Sequence, residues 1–308
     1  MGRRRSGRPI NGWLNVDKPV GLSSAACVNA VRRITGAAKL GHAGTLDPQA
    51  SGILPIALGE ATKTMPFVTD AAKRYVFEIV WGERRSTDDV EGDIVETSDV
   101  RPDGAAIEAM LPRFVGAIDQ VPPAFSAIKI DGKRAYAMAR AGEAVVMVPR
   151  TVRIDEFCLE AVMDRDRARF AVACGKGTYI RALARDLAAA LGTCGHLGAL
   201  RRTAVGCFTE ATAISLEKLT ELGHSAAAQP PLLPVETVLD DIPALALTDT
   251  EAERLRSGQA VPILRPQDRE RLAAVGDDGI VLAVEATTPV ALARVDGIQI
   301  RPVRVLNL

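Results

Sequence analysis

Apolar positions along the chain recur with two different periods, and each period marks a different element. Between Leu22 and Gly36 the apolar residues Cys27, Val28, Val31 and Ile34 fall at helical spacing. Ser23 is placed to cap that helix and Gly36 to end it. Ile53 to Leu58 is a short apolar run suited to a buried strand, and Tyr75 to Trp81 is rich in strand formers. Phe170 to Cys174 predicts a further strand, followed by a turn at Gly175-Lys176-Gly177. A second helix follows, with Thr178 as its expected cap, Ile180, Leu183, Ala184, Leu187 and Leu191 as its apolar stripe, and Gly192 as its stop. Strands and helices mix without a regular βαβ repeat, which predicts an α+β fold rather than a doubly wound sheet.

The proline-rich stretch Gln229-Pro230-Pro231-Leu232-Leu233-Pro234 predicts a connector. Beyond it, Thr248 and Glu251 form a capping box for a short helix ending at Gly258. Apolar runs at Leu272–Val275, Ile280–Val284, Val290–Val295 and Ile298–Leu306 then read as strands. Asp278-Gly279 and Asp296-Gly297 read as hairpin turns among them. The chain thus divides into a flexible basic arm (1–10), a large domain (11–240) and a small β-rich module (245–308).

Composition narrows the function classes. The 308 residues are 47% hydrophobic and 25% charged, ordinary values for a globular chain. No apolar run reaches the roughly 18 residues that span a bilayer, and no apolar core follows Met1-Gly2-Arg3-Arg4-Arg5, so neither a membrane anchor nor a secretory leader is expected. The five cysteines contain no C-x-x-C pair and there are three histidines, so a zinc site has little support, Cys194-Gly195-His196 included. Buried thiols in a reducing compartment, the cytoplasm, are the expectation.

The formal net charge is zero, but it is unevenly spread. The first forty residues hold eight Lys/Arg against the single acid Asp17. A second basic stretch carries Lys129, Lys133, Arg134, Arg140, Arg150 and Arg153, while acids collect between Glu83 and Glu108. Such stretches are either solvated faces or surfaces that grip phosphates.

Two look-alike motifs fail on inspection. Gly175-Lys176-Gly177 lacks the Ser or Thr that follows a phosphate-loop lysine. Asp88-Asp89-Val90-Glu91-Gly92, aligned on its glycine as a calcium loop, places Thr87 at the first ligand position and Ser98 where a bidentate glutamate belongs. No dinucleotide fingerprint follows a strand either. No metal or cofactor is therefore expected.

The most unusual segment is Gly41-His42-Ala43-Gly44-Thr45-Leu46-Asp47-Pro48-Gln49-Ala50-Ser51-Gly52, which packs three glycines and a proline between a basic segment and a buried strand. Pro48 biases Asp47 towards an extended backbone. An aspartate is ionised at neutral pH without a partner base, which suits a nucleophile, although Asp-Pro also commonly starts a turn. Arg181 lies in the first turn of its helix and off the apolar stripe, where the macrodipole disfavours a cation. It calls for an anionic partner, and Asp47 and a nucleic-acid phosphate both qualify.

Gly41-His42-x-Gly44-Thr45-Leu46-Asp47-Pro48 resembles the active-site signature of the TruB family of tRNA pseudouridine synthases. Other stretches resemble that family in the same order: Asp17-Lys18-Pro19-Val20-Gly21-Leu22-Ser23-Ser24, Lys73-Arg74-Tyr75, Pro122 to Lys129, Gly132 to Tyr136, Lys176 to Arg181 and Leu200-Arg201-Arg202-Thr203. The resemblance spans about residues 11–240, and more weakly the C-terminal module. It implies a pseudouridine-synthase catalytic domain with a mixed or antiparallel sheet, and a small PUA-like RNA-binding module after it. It also implies a mobile RNA-gripping insert at about 124–153, tRNA as partner through its T-arm, and no obligate protein partner for what is expected to be a monomer.

The implied reaction is isomerisation of uridine to pseudouridine at position 55, after the base has been flipped out of the loop. Asp47 would be the nucleophile, with Arg181 as its partner. His42, Tyr75, Tyr179 and Leu200 would line the site, Tyr75 also serving catalysis. Read from the strand alone, Tyr75 is equally an ordinary core aromatic, and Leu200 reads as core. A protein that binds or folds RNA without modifying it is the alternative of a different class. A guide-dependent synthase of the archaeal and eukaryotic kind is a second one.

Overall fold

The computed structural model describes residues 7–308 apart from 127, 131, 144, 225–229, 264 and 276–278. Strands β1 (Gly12–Lys18), β2 (Leu40–His42), β3 (Ala50–Leu58), β4 (Lys73–Trp81), β5 (Gly116–Gln120), β6 (Arg150–Val162), β7 (Arg167–Cys174), β8 (Gly195–Val205) and β9 (Ile214–Ser215) run in the order β9-β1-β3-β8-β4-β7-β6-β5. With β2 on β3 and Phe208–Thr209 on β8 they make one ten-stranded sheet. The β9–β1 and β8–β3 pairs are parallel and the remaining neighbours antiparallel, so the α+β reading with a mixed sheet holds.

Helix α1 (Ser24–Thr35) begins as its sequence predicts: the Ser23 side chain accepts from the Ala26 N–H, and Gly36 takes the left-handed conformation that ends it. Cys27, Val28 and Val31 pack against the sheet. Helix α2 (Ile180–Ala190) buries Ile180, Leu183, Ala184 and Leu187. Thr178 does not cap it. Tyr179 holds the cap position, and the Thr178 hydroxyl donates instead to the Gly175 carbonyl, closing the preceding turn at 3.1 Å. The expected basic arm 1–10 falls largely on residues without a description. Met1–Ser6 lie outside the described residues, but the Arg8 N–H donates to the Gly36 carbonyl and its carbonyl accepts from Ala38, tying this stretch to the end of α1.

The C-terminal module comprises β10 (Ala244–Leu247), α3 (Asp249–Arg256), β11 (Val261–Pro262), α4 (Pro266–Val275), β12 (Ile280–Glu285), β13 (Thr288–Asp296) and β14 (Gln299–Val305). Its sheet runs β10-β12-β13-β14-β11. The capping box forms as predicted, and Asp296-Gly297 does turn β13 into β14. Leu272–Val275, expected as a strand, is instead the last turn of α4. Four apolar residues cannot separate the two periods, and Pro266 opening a run of charged residues decides for helix. For the same reason Asp278-Gly279 precedes β12 rather than joining two strands, Asp278 itself being outside the described residues.

The two parts share a core in which Trp13, Ile53 and Phe208 of the large sheet pack with Leu282, Leu292 and Leu306. The proline-rich connector is part of the fold: Leu233 and Trp13 exchange two backbone hydrogen bonds of 2.8 Å.

One position in the sheet has no room for a side chain. Gly52 lies opposite Arg202 in the β3–β8 pair at a φ of 102°, and a Cβ there would sit 2.1 Å from the Arg202 carbonyl oxygen. Gly52→Ala is expected to cost about 3 kcal/mol or more and to lower Tm by about 5 °C or more. A thermal melt indistinguishable from wild type would contradict this close approach.

Candidate active site

The Gly41–Gly52 segment leaves the end of β2 and enters β3, and two chain stretches clamp it around Asp47. From α1, the Ser24 hydroxyl both donates to the Leu46 carbonyl (2.9 Å) and accepts from the Leu46 N–H (2.8 Å). Ser23 already caps the helix, which leaves Ser24 available for this bridge. On the other side of Asp47, the Pro48 carbonyl accepts from the Gly21 N–H at 2.8 Å and faces the Lys18 ammonium at 3.4 Å. Lys18 is fully buried and also donates to the carbonyls of Pro19 and Leu22. The Asp17–Ser24 stretch is thus the clamp of the Asp47 loop.

Asp47 meets the partner that Arg181 required. Arg181 Nε lies 3.0 Å from Asp47 Oδ2, with the arginine side chain 6% exposed and the aspartate 42% exposed. The carboxylate is therefore held from below and open above. The rest of the guanidinium is occupied: Nη1 donates to the Thr87 carbonyl and lies 3.5 Å from Asp89 Oδ2, and Nη2 donates to the Phe125 carbonyl. Burial pushes the Asp47 carboxyl above the usual carboxylate range, and Arg181 opposes that shift.

Asp89 belongs to the acidic stretch that failed as a calcium loop. In the fold it folds over α2 instead: Asp88 Oδ2 pairs with Arg185 at 2.9 Å, and the Asp88 carbonyl accepts from the Leu197 N–H. Asp88 takes a φ of 61°, the left-handed region that aspartate tolerates better than most residues. That turn brings Asp89 to Arg181.

Tyr75 projects from β4 on the face it shares with Phe77 and Ile79, and is 8% exposed. It is paired across the sheet with Arg202 of β8, whose positive charge acts on its hydroxyl. Burial raises the Tyr75 pKa and Arg202 counters it, so the group is a neutral phenol at physiological pH. His42 ends β2, and burial together with the Arg202 charge lowers its pKa, which keeps the imidazole neutral. Tyr179 is anchored through its backbone: its N–H donates to Gln120 Oε1 (2.8 Å) and its carbonyl accepts from Gln120 Nε2 (3.1 Å). Leu200 is half-buried in β8 between Ala50 and Phe77, at the edge of the core.

The structure therefore brings Asp47 and Arg181 into contact, and the Asp47 charge also reaches the hydroxyls of Tyr75 and Tyr179. His42 begins the same loop at the end of β2, and Leu200 pairs across the sheet with Ala50, where the loop enters β3. Sequence reasoning missed four residues that position these: Lys18, Ser24, Asp89 and Gln120. Lys18 and Ser24 lie inside a quoted motif without a role, Asp89 lies in the acid-rich stretch, and Gln120 has no local signal. Among the described residues no group of three or more His, Cys, Asp or Glu has metal-binding geometry.

Comparison with known proteins places this arrangement. Residues 32–180 match the model of the TruB family pseudouridylate synthase N-terminal domain, and residues 181–240 that of the tRNA pseudouridylate synthase B C-terminal domain. The boundary falls between Tyr179 and Arg181, so the candidate site draws residues from both matched regions. The tRNA pseudouridine synthase B of Rhodospirillum rubrum is 52% identical over 308 residues, covering 100% of both chains. That of Caulobacter vibrioides is 52% identical over 310 residues, again covering 100% of each. Among solved structures, a chain in the crystal structure of the archaeal box H/ACA sRNP Nop10-Cbf5 complex is similar in fold. Its TM-score is 0.73 at 22% identity, over 99% of this chain and 92% of that one.

Proposed function

The chain belongs to the TruB family of pseudouridine synthases, and on that premise we propose that it converts uridine 55 in the T-loop of tRNA to pseudouridine with Asp47 as nucleophile. The observation that carries this reading is the Asp47–Arg181 pair: a carboxylate fixed at 3.0 Å by a buried guanidinium yet open on its other side. Arg181 keeps the carboxylate ionised and aimed.

The reaction breaks the N1–C1′ bond, joins C5 to C1′, and exchanges the C5 proton for one on N1. Nothing is gained or lost overall, so no oxidant, nucleotide or metal is required by the balance. Attack at C1′, addition at C6 and assistance of glycal formation all need the same ionised carboxylate. Because the uridine lies within a folded loop, it must leave the stack to reach Asp47. His42, neutral and at the loop's far end, is suited to fill the gap. Tyr75 and Tyr179 offer rings to the extruded base, and Leu200 an apolar floor.

Residues 124–153 and the C-terminal module are the natural grips on the T-arm. The insert has a short hairpin, Lys129–Ile130 with Lys133–Arg134, leading into the Ala135–Arg140 helix, where the Arg140 guanidinium stacks 5.8 Å from the Tyr136 ring. The C-terminal module is PUA-like in this reading. Among the described residues no helix is long and apolar enough to cross a membrane. The protein would act as a monomer in the cytoplasm, without an obligate protein partner.

A synthetic T-arm hairpin tests the substrate assignment. In excess chelator and without nucleotide, it is expected to gain one pseudouridine, at the residue corresponding to 55. Absence of product that a divalent ion restores would contradict the cofactor-free chemistry, and product in an anticodon hairpin instead would contradict the T-loop assignment.

A further inference from the structure

Arg202 is one of the largest fully buried side chains in the protein, 1% exposed. Among the described residues no carboxylate lies within 4.0 Å of it, whereas its strand neighbour Arg201 and the α2 arginines Arg181 and Arg185 are each paired with carboxylates. Arg201 is bonded to both oxygens of Asp17 and pairs with Glu210, Arg181 pairs with Asp47 and Asp89, and Arg185 with Asp88 and Asp186. A buried charge without a counter-ion is costly, and an apolar residue of similar volume would avoid the cost. Something at this position needs a guanidinium.

The geometry shows what it binds. Nε donates to the Ile53 carbonyl at 2.7 Å and Nη2 to the Gly44 carbonyl at 3.0 Å. Gly44 and Ile53 bracket Asp47 in sequence, so one planar group ties both ends of its loop. Gly44, with a φ of 89°, lies so close that a Cβ would be 3.3 Å from Arg202 Nη1. Across β4–β8 the Arg202 and Tyr75 Cα atoms are paired, which puts the two side chains on one face. The titratable and charged groups facing Tyr75 are Arg202, Cys174 of β7 and Asp47.

We propose that Arg202 is a positioning residue that locks the Tyr75 hydroxyl and both ends of the Asp47 loop into one unit and turns the phenol hydrogen towards the target uridine. A guanidinium has donors only. A Tyr75 oxygen that meets this guanidinium across the β4–β8 pair can only accept from it, which leaves its own hydrogen to be turned elsewhere. This rests on the catalytic reading of Tyr75, and it deepens that reading by naming the residue that orients the hydroxyl.

The test is a double-mutant cycle in single turnover on unmodified tRNA. Arg202→Met keeps the volume and removes the donors, and Arg202→Lys keeps a charge and one donor direction. Arg202→Met is expected to lower the rate constant by about 30-fold or more with tRNA Kd unchanged, and Arg202→Lys by less. In a Tyr75→Phe background Arg202→Met should add no more than about threefold, because the group it orients is already gone. If the two losses multiply, or if both Arg202 variants fail to fold, Arg202 serves the fold and the proposal is wrong. If Tyr75→Phe alone turns over normally, the catalytic reading of Tyr75 fails first, and the orienting role with it.

Discussion

Asp47→Asn is expected to leave a folded, tRNA-binding protein with less than about one-thousandth of wild-type turnover. Asparagine has nearly the same shape, and its Oδ1 can still accept from Arg181 Nε, so the 3.0 Å contact survives in outline. The clamp on the loop uses the backbone of Leu46 and Pro48, not the Asp47 side chain. Tm should therefore move little. What is removed is the negative charge that every route to pseudouridine needs. Residual turnover at a tenth of normal would sink the assignment.

The same group sets the pH response of the wild type. Burial raises the Asp47 pKa above its ordinary value, and the carboxylate is the active form. Activity should therefore fall as pH drops through that raised pKa, so the acid limb lies above the usual aspartate range.

Tyr75→Phe is the second large effect, and it separates chemistry from packing. The ring packs in the main core, which an ordinary strand aromatic would also do. The hydroxyl is different: the charges of Arg202 and Asp47 both act on it, which a core role does not require. Phe keeps the ring, so folding and tRNA affinity should stay near wild type. Turnover should fall at least a hundredfold, within the 10²–10⁴ typical of a positioned acid or base. Tyr75→Leu should in addition weaken binding by about 1–3 kcal/mol through lost base stacking. Normal turnover by the Phe variant would reduce Tyr75 to a stacking platform. A lowered Tm with activity per folded molecule intact would make it plain core.

What the sequence reveals here follows how local the physics is. The Ser23 and Gly36 caps of α1, the apolar stripe of α2 and the Thr248–Glu251 capping box are set by residues within one or two helical turns, and all are as predicted. Leu272–Val275 fails because a four-residue run carries no period. Thr178 fails because the turn before α2 takes its hydroxyl first. In the site, the pairing of Arg181 with an anion is legible from a cation in a helix's first turn. That Asp89 shares that cation is not, because it depends on a left-handed Asp88 and a contact 92 residues away in sequence. Arg202 and Gln120 are likewise defined only by sheet register and tertiary packing.

The most direct test is position-resolved mapping of pseudouridine in an unmodified full-length tRNA transcript, incubated in parallel with wild-type protein and with Asp47→Asn. A single new pseudouridine at position 55 is expected with wild type and none with the variant. Pseudouridine at 55 with both proteins, or with neither while both bind the tRNA, would contradict the proposed function.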